Sequence, residues 1–302
     1  MIGARHVAWL YRSPAEYEAG LVEFARASQA RSEPLQLAIA GARLPPGVGR
    51  SGAPGVTVLD MTELGRNPAR IIAAVQQFCD DNKGRRVRYL GESAWSGRSM
   101  AEARETWRHE SLINVAFAGS DIDVLCPYDA ASLPPAVIAG ARATHPLVAH
   151  DGQSGASDDY LPSADYLAVL DTPLSVPPGA AVLEYSGDLR PVRALVSAVA
   201  QRAGLAATRC TDLVIAASEV AANSLRHAAG AGLLRLWSTG SELLCQFEDS
   251  GHIRDPLAGH RKPPPGAAGG QGLWLVNQIC DLAEIRTSEL GTVIRLHMSL
   301  SA

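Results

Sequence analysis

The stretch Glu219-Val-Ala-Ala-Asn223-Ser-Leu-Arg-His227 carries three polar residues at intervals of four. With 3.6 residues per helical turn, Glu219, Asn223 and His227 lie on one face of a helix, and the apolar residues before and between them form the opposite side. A glutamate and an asparagine one turn apart can place a general base beside an oxygen ligand for Mg²⁺. An amphipathic helix with an ordinary polar edge fits the same pattern.

A second signal, Glu248-Asp249-Ser-Gly251, comes directly after the alternating run 243–247. The alternation predicts a strand, so Asp249 is expected at its end. A carboxylate in that place can accept a hydrogen bond from the amino group of a bound base. Gly251 would let the backbone pass close to that base. An ordinary turn is the alternative.

The third signal, Gly269-Gly270-Gln-Gly272-Leu273-Trp-Leu-Val276, predicts a glycine turn that enters a helix. Free backbone N–H groups and the positive helix end suit a phosphate, although glycine loops also precede ordinary helices. Residues 252–268 lack hydrophobic periodicity. They are interpreted either as a mobile lid, with Arg254, Arg261 and Lys262 available to phosphates, or as a solvated basic loop.

In this order and spacing, the three signals resemble the nucleotide site of the GHKL ATPases. The resemblance implies ATP and Mg²⁺ as cofactors and a Bergerat-type α/β sandwich over residues 181–302. It implies that Glu219 acts on the attacking hydroxyl or water, that Asn223 ligates the metal, and that Asp249 accepts a hydrogen bond from the adenine amino group. The other residues that it assigns to the nucleotide are His227, Gly251, Gly270, Gly272, Leu273 and Thr292. Of these, Thr292 is expected to assist Asp249.

One departure from the GHKL pattern is Ile253, which stands where many members have a second glycine. This difference is expected to affect the geometry of the lid and the turnover rate more than nucleotide binding. No phosphoacceptor helix or long dimerising hairpin precedes residue 188 in the pattern, which argues against an ordinary histidine kinase. The compact layout resembles the anti-sigma regulatory factors, which are serine/threonine kinases of anti-sigma-factor antagonists.

The resemblance implies a bacterial regulator that binds MgATP and controls a sigma factor by partner switching. Its expected partners are a sigma factor, an anti-sigma-factor antagonist, or both. The phosphoryl group of ATP would be transferred to a serine of the antagonist. Two alternatives stay open. One is a non-catalytic ATP-dependent binding switch, and the other is a histidine-kinase-like protein that needs a phosphoacceptor on a partner.

Residues 1–150 alternate between apolar strand patterns and helical patterns, which predicts a mostly parallel sheet with helices on both faces. The predicted strands are 7–11, 35–39, 56–60, 87–90 and 122–126, and the predicted helices are 14–31, 68–82 and 99–117. The order, with Gly91-Glu-Ser-Ala-Trp95 and Cys126-Pro-Tyr-Asp129 after strands, is similar to the MEDS sensory domain. A ligand loop at Glu92, Trp95 and Arg98 is one interpretation of the first segment, and a plain strand-to-helix turn is the other.

Length and composition set the remaining expectations. A chain of 302 residues favours two domains, here 1–150 and 181–302, with a linker region over 151–180 that is rich in serine, glycine and proline. The net charge of −4 indicates no direct nucleic-acid partner. The absence of a long apolar run in the sequence indicates no membrane partner and a cytoplasmic location.

The five cysteines have no metal or redox spacing, so they are interpreted as free thiols, with Cys126 in the core. His145 and His150 are interpreted as surface histidines rather than a metal pair. A small-molecule ligand of the N-terminal domain and a homodimer are left open.

Overall fold

The computed structural model describes residues 3–42, 44, 48, 55–264, 266–267 and 269–300. The chain divides into two compact units, Met1–Leu170 and Asp171–Ala302. Among the described residues, no helix is both long enough and apolar enough to cross a lipid bilayer.

Over its described residues, the first unit is built on a seven-stranded sheet with α-helices between most successive strands, as the alternating sequence pattern predicts. Its strands are β1 Arg5–Tyr11, β2 Leu35–Ile39, β3 Val56–Asp60, β4 Val87–Gly91, β5 Ile122–Asp129, β6 Leu147–His150 and β7 Gln153–Ala156. Its helices are α1 Pro14–Ala30, α2 Met61–Leu64, α3 Ile71–Asp81, α4 Met100–Ala116, α5 Pro135–Thr144 and α6 Ser163–Leu170. The strand order is β3-β2-β4-β5-β1-β6-β7, and every neighbouring pair is parallel except β6 and β7.

The predicted linker region, residues 151–180, begins with regular structure of the first unit. Strands β6 and β7 form a hairpin in which His150 pairs with Gln153. The two turn residues, Asp151 and Gly152, have φ of 49° and 73°, the backbone that two-residue hairpins favour. The polar, glycine-rich composition of 151–156 is therefore that of an exposed edge hairpin. Helix α6 follows, and the Ser163 hydroxyl donates a hydrogen bond of 2.7 Å to the Ser111 carbonyl on α4.

In its described residues, the second unit is an α/β sandwich of one antiparallel sheet and three helices. Its strands are β8 Ala181–Ser186, β9 Ala231–Ser238, β10 Glu242–Asp249, β11 Leu282–Ser288 and β12 Gly291–Ser299, in the order β11-β12-β10-β9-β8. Its helices are α7 Arg190–Arg202, α8 Ala207–His227 and α9 Gln271–Ile279. Alternate residues of β10, such as Cys245 and Phe247, share one buried core with Leu213 and Val220 of α8 and Val276 of α9. This packing holds the polar edge of α8 close to the ends of β10 and β12.

Candidate functional site

Asp249 is the last residue of β10, and both of its carboxylate oxygens accept hydrogen bonds from the protein. Its Oδ1 accepts from the backbone N–H of Gly251 at 2.8 Å. Its Oδ2 accepts from the Ser224 hydroxyl of α8 at 2.6 Å, and that hydroxyl accepts in turn from Tyr185 Oη at 2.9 Å. Each carboxylate oxygen retains a lone pair. The half-buried carboxylate is therefore fixed in orientation and can still accept from a ligand.

Two glycines allow the backbone to turn tightly around Asp249. Gly291, which opens β12, has φ of 141°, and a Cβ there would overlap the Asp249 carbonyl oxygen. A Cβ on Gly251 would lie 2.9 Å from Asp249 Oδ1. Thr292 pairs with Asp249 across β10 and β12, and its hydroxyl donates to the Gly251 carbonyl at 2.8 Å. Asp249, Gly251 and Thr292 thus form one hydrogen-bonded corner.

Helix α8 presents Glu219, Asn223 and His227 along one edge, as their spacing predicts. Glu219 and Asn223 are half-buried, and His227 at the last turn is exposed. Asn223 Oδ1 accepts a hydrogen bond of 3.1 Å from an Arg226 side-chain nitrogen. An amide oxygen has two lone pairs, so Asn223 retains one for a further ligand.

Helix α9 begins at the glycine turn, with its N-terminus directed at the polar edge of α8. Its N-cap residue, Gly270, has φ of 85° and supplies no side chain to the first turn, so the N–H groups of that turn have no side-chain cap. A Cβ on Gly272 would lie 2.9 Å from Glu219 Oε2 and 3.4 Å from Asn223 Nδ2. The glycine therefore brings the helix terminus against the carboxylate and the amide.

These elements enclose a cavity of about 650 Å³. Of the nine site residues predicted from the sequence, eight line it, namely Asn223, His227, Asp249, Gly251, Gly270, Gly272, Leu273 and Thr292. Glu219 lies at its edge, beside Gly272. The cavity has the size of a small-molecule site. It combines an acceptor for a base, an amide oxygen for a metal, and free N–H groups for phosphates.

The interpretation of residues 252–268 as a mobile lid fits only part of the segment. Leu257, Gly259 and His260 are buried, and Asn277 of α9 donates a hydrogen bond of 3.1 Å to the Gly259 carbonyl. Arg254 is exposed and lines the cavity. Lys262 is exposed and is not among the cavity-lining residues, and Pro265 and Ala268 lie outside the described residues.

The residues that orient Asp249 and anchor the segment after it were not predicted from the sequence. Ser224 and Tyr185 orient Asp249, while Asn277 and Gly259 anchor the segment beyond it. Ser224 could have been found from the sequence, because it is a polar residue on the apolar side of α8. A buried hydroxyl there needs a hydrogen-bond partner.

In the N-terminal unit, the predicted ligand loop is largely closed. The Arg98 guanidinium lies over the Trp95 ring at 3.6 Å and donates to the Gly65 carbonyl. Burial lowers the pKa of Arg98 to about 10. The two side chains line a cavity of only about 120 Å³, and Glu92 is not part of its lining. Glu92 instead accepts a hydrogen bond of 2.6 Å from the Ala40 N–H.

The expectation of two surface histidines holds for His150 and is wrong for His145. His150 is exposed, whereas His145 is fully buried. The reason is topological, since His145 lies between α5 and β6, and β6 pairs with β1 inside the sheet. Cys126 is buried, as predicted.

Each of the two units matches the model of a known protein family. Residues 5–146 match the family model of MEDS, the MEthanogen/methylotroph, DcmR Sensory domain. Residues 184–298 match the histidine kinase-like ATPase domain. No curated protein matches the chain. The chain therefore carries an N-terminal MEDS sensory domain and a C-terminal histidine kinase-like ATPase domain. This combination suggests a signalling regulator, and the ATPase domain implies ATP binding, typically with Mg²⁺.

Proposed function

We propose that the C-terminal unit binds MgATP in the cavity between α8, α9 and the ends of β10 and β12. The observation that carries the proposal is the convergence of Asp249, Asn223 and the α9 N-terminus on one cavity. Asp249 accepts from the adenine amino group with the lone pairs left after its bonds to Ser224 and Gly251. A guanine would present a carbonyl oxygen to the same carboxylate, and this repulsion disfavours it.

The other end of the cavity suits the phosphates and the metal. The uncapped N–H groups that follow Gly270 and the positive end of the α9 dipole attract phosphate. Asn223 supplies an oxygen to Mg²⁺, which takes most of its remaining ligands from water and phosphate. Arg254, at the exposed rim, adds a positive charge.

We further propose that the unit is a serine/threonine kinase of the anti-sigma type. Phosphoryl transfer depends mostly on positioning and charge stabilisation, and a Mg²⁺ ion held by Asn223 would supply part of that stabilisation. Glu219 is suited to receive the proton of an attacking serine hydroxyl, because its carboxylate lies beside Gly272 at the phosphate end. The acceptor is a serine of an anti-sigma-factor antagonist, and a sigma factor is the second partner. Partner switching between them, in the cytoplasm, is the proposed output.

A second candidate is an ATP-dependent binding switch without phosphoryl transfer. Ile253 favours it, because its side chain lines the cavity and packs against the core, and its backbone N–H donates to Thr287 Oγ1 at 3.0 Å. A segment anchored in this way, where many relatives carry glycine, rearranges less readily during turnover.

A transfer experiment separates the two candidates. Full-length protein is incubated with labelled MgATP and candidate antagonists, and labelled products are tested for acid stability, since phosphoserine survives acid and phosphohistidine does not. Glu219→Gln should retain MgATP binding and lose transfer by about 10²–10⁴-fold, as expected for removal of a general base. Glu184→Gln, on the exposed side of β8, is the matched control. A Glu219→Gln variant that transfers at the wild-type rate excludes Glu219 as the base, and a wild type that binds MgATP without transfer supports the switch.

A further inference from the structure

Four potential metal ligands from four separate elements meet inside the N-terminal unit. They are His6 on β1, Glu110 on α4, Cys126 on β5 and His145 after α5. All four are buried, and their ligating atoms lie within 4.8 Å of one another. The group lies outside the proposed nucleotide site, which belongs to the other unit.

Four of the six separations within this cluster are close to those of a tetrahedral metal site, and the other two are no more than 4.8 Å. His6 Nε2 lies 3.1 Å from Glu110 Oε2 and 3.6 Å from Cys126 Sγ. Glu110 Oε2 lies 3.4 Å from Cys126 Sγ and 3.4 Å from His145 Nε2. With Zn–N and Zn–O bonds of about 2.1 Å and Zn–S of about 2.3 Å, tetrahedral ligands stand about 3.4 Å apart, or about 3.6 Å where sulfur is involved. All four measured separations lie close to these values.

The hydrogen bonds around the two imidazoles direct their Nε2 lone pairs into the cluster. Asn114 donates its amide N–H to the Thr144 carbonyl at 2.8 Å, which leaves Asn114 Oδ1 to accept from His6 Nδ1 at 3.0 Å. His145 Nδ1 lies 2.7 Å from the Ala141 carbonyl, so it carries the proton there. Metal-bound histidines show this arrangement, in which the second ring nitrogen donates to an oxygen that fixes the tautomer.

His145 Nε2 is the unsatisfied atom of the cluster. It is buried and makes no hydrogen bond, although it faces Glu110 Oε2. With Nδ1–H directed at the Ala141 carbonyl, Nε2 faces a carboxylate oxygen at 3.4 Å, and this arrangement is favourable when a proton or a metal cation lies between the two atoms. Ser93 donates to Glu110 Oε1, which leaves Oε2 for the cluster.

We propose that His6, Glu110, Cys126 and His145 bind one Zn²⁺ ion. A mixed set of imidazole, thiolate and carboxylate suits this ion of intermediate softness. Binding converts the Cys126 thiol to a thiolate with release of one proton to solvent, and no electron is transferred. Four protein ligands fill a tetrahedral shell, so the site resembles those that hold Zn²⁺ rather than those that activate water. His6 and Asn114 also line a cavity of about 370 Å³, which gives an entry path.

The test uses the full chain, purified under reducing conditions and stripped with a chelator. After equilibrium dialysis against Zn²⁺, elemental analysis should find one equivalent per chain. Reconstitution with Co²⁺ should give a thiolate-to-cobalt charge-transfer band in the near ultraviolet. Cys126→Ser should lose that band, while Cys79→Ser, which alters a half-buried cysteine on α3 of the same unit, should keep it.

Circular dichroism keeps the result interpretable, because it shows whether each variant is folded. Zn²⁺ should raise the melting temperature of the wild type and of Cys79→Ser by mass action, and should raise that of Cys126→Ser less. A folded wild type that retains no Zn²⁺ after dialysis overturns the proposal. So does a Cys126→Ser variant whose cobalt spectrum equals that of the wild type.

Discussion

Replacing Asp249 by asparagine tests the assignment of the adenine contact with little change in shape. An asparagine here can keep its Oδ1 on the Gly251 N–H and can donate from Nδ2 to the Ser224 hydroxyl. That hydroxyl can then donate to the Val220 carbonyl, which lies 3.3 Å away. All partners of the present carboxylate therefore remain satisfied, and we expect the variant to fold.

The Asp249→Asn change alters what the cavity offers a base. An acceptor that faces the adenine amino group becomes a donor. Loss of a hydrogen bond to a charged acceptor costs about 1.5–3 kcal/mol, which corresponds to about a 10- to 100-fold weaker affinity for ATP. ITP, in which a carbonyl replaces the 6-amino group, should gain from the same change. The ratio of ATP to ITP affinity should therefore fall by at least about tenfold.

Calorimetric titration of the full chain with MgATP and with MgITP measures that ratio. Asp212→Asn removes the same charge from the opposite part of α8, beside Arg209, and should leave the ratio unchanged. Affinities for both nucleotides that are unchanged by Asp249→Asn would show that Asp249 does not contact the base. A fall in both affinities by one common factor would indicate a general distortion of the site.

Three further changes test the site and its support. Gly272→Ala should weaken MgATP binding by about fivefold or more, because the new Cβ would lie 2.9 Å from Glu219 Oε2 and must displace that carboxylate, and overpacking costs about 1–3 kcal/mol. An unchanged affinity in calorimetry would contradict this. Ser224→Ala removes a donor to Asp249 and should lower the free energy of unfolding in urea by about 1–3 kcal/mol, whereas no loss would show that this hydroxyl is dispensable. Burial lowers the pKa of His297, but hydrogen bonds to two glutamates outweigh it and raise this pKa from 6.5 to about 8. The protonated histidine therefore stabilises the folded chain fully below about pH 6.5, and the free energy of unfolding should fall by about 2 kcal/mol as the pH rises through 8. His297→Gln should abolish this decline. A variant whose free energy of unfolding falls with pH as steeply as that of the wild type would refute the assignment to His297.

The parts of the fold that depend on local spacing were predictable. The polar edge of α8 follows from residues four apart, and the turn before α9 follows from glycines that leave its first N–H groups uncapped. The parallel sheet of the first unit follows from the alternation of strand and helix patterns. In each case the residues that determine the predicted feature lie within about one helix, strand or turn of each other along the chain.

Features that depend on distant partners were not predictable. Ser224 meets Asp249 across 25 positions and Tyr185 across 39, and neither contact leaves a repeat in the sequence. The edge hairpin of β6 and β7, residues 147–156, resembles a linker in its local sequence, because edge strands are short and its second strand is polar. His145 appears exposed in the sequence because the buried cluster that it joins comes from strands and helices up to 139 residues away, as His6 is from His145.

The central claim is that the C-terminal unit binds MgATP at the cavity around Asp249. Hydrogen exchange of the full chain, with and without MgATP, tests this claim most directly, because it locates a ligand without any mutation. We predict slower exchange in three segments: the turn after β10 at 249–255, the start of α9 at 270–276, and the start of β12 at 291–293. Calorimetric binding with no protection in these segments, or with protection confined to residues 91–98 of the first unit, would contradict the account.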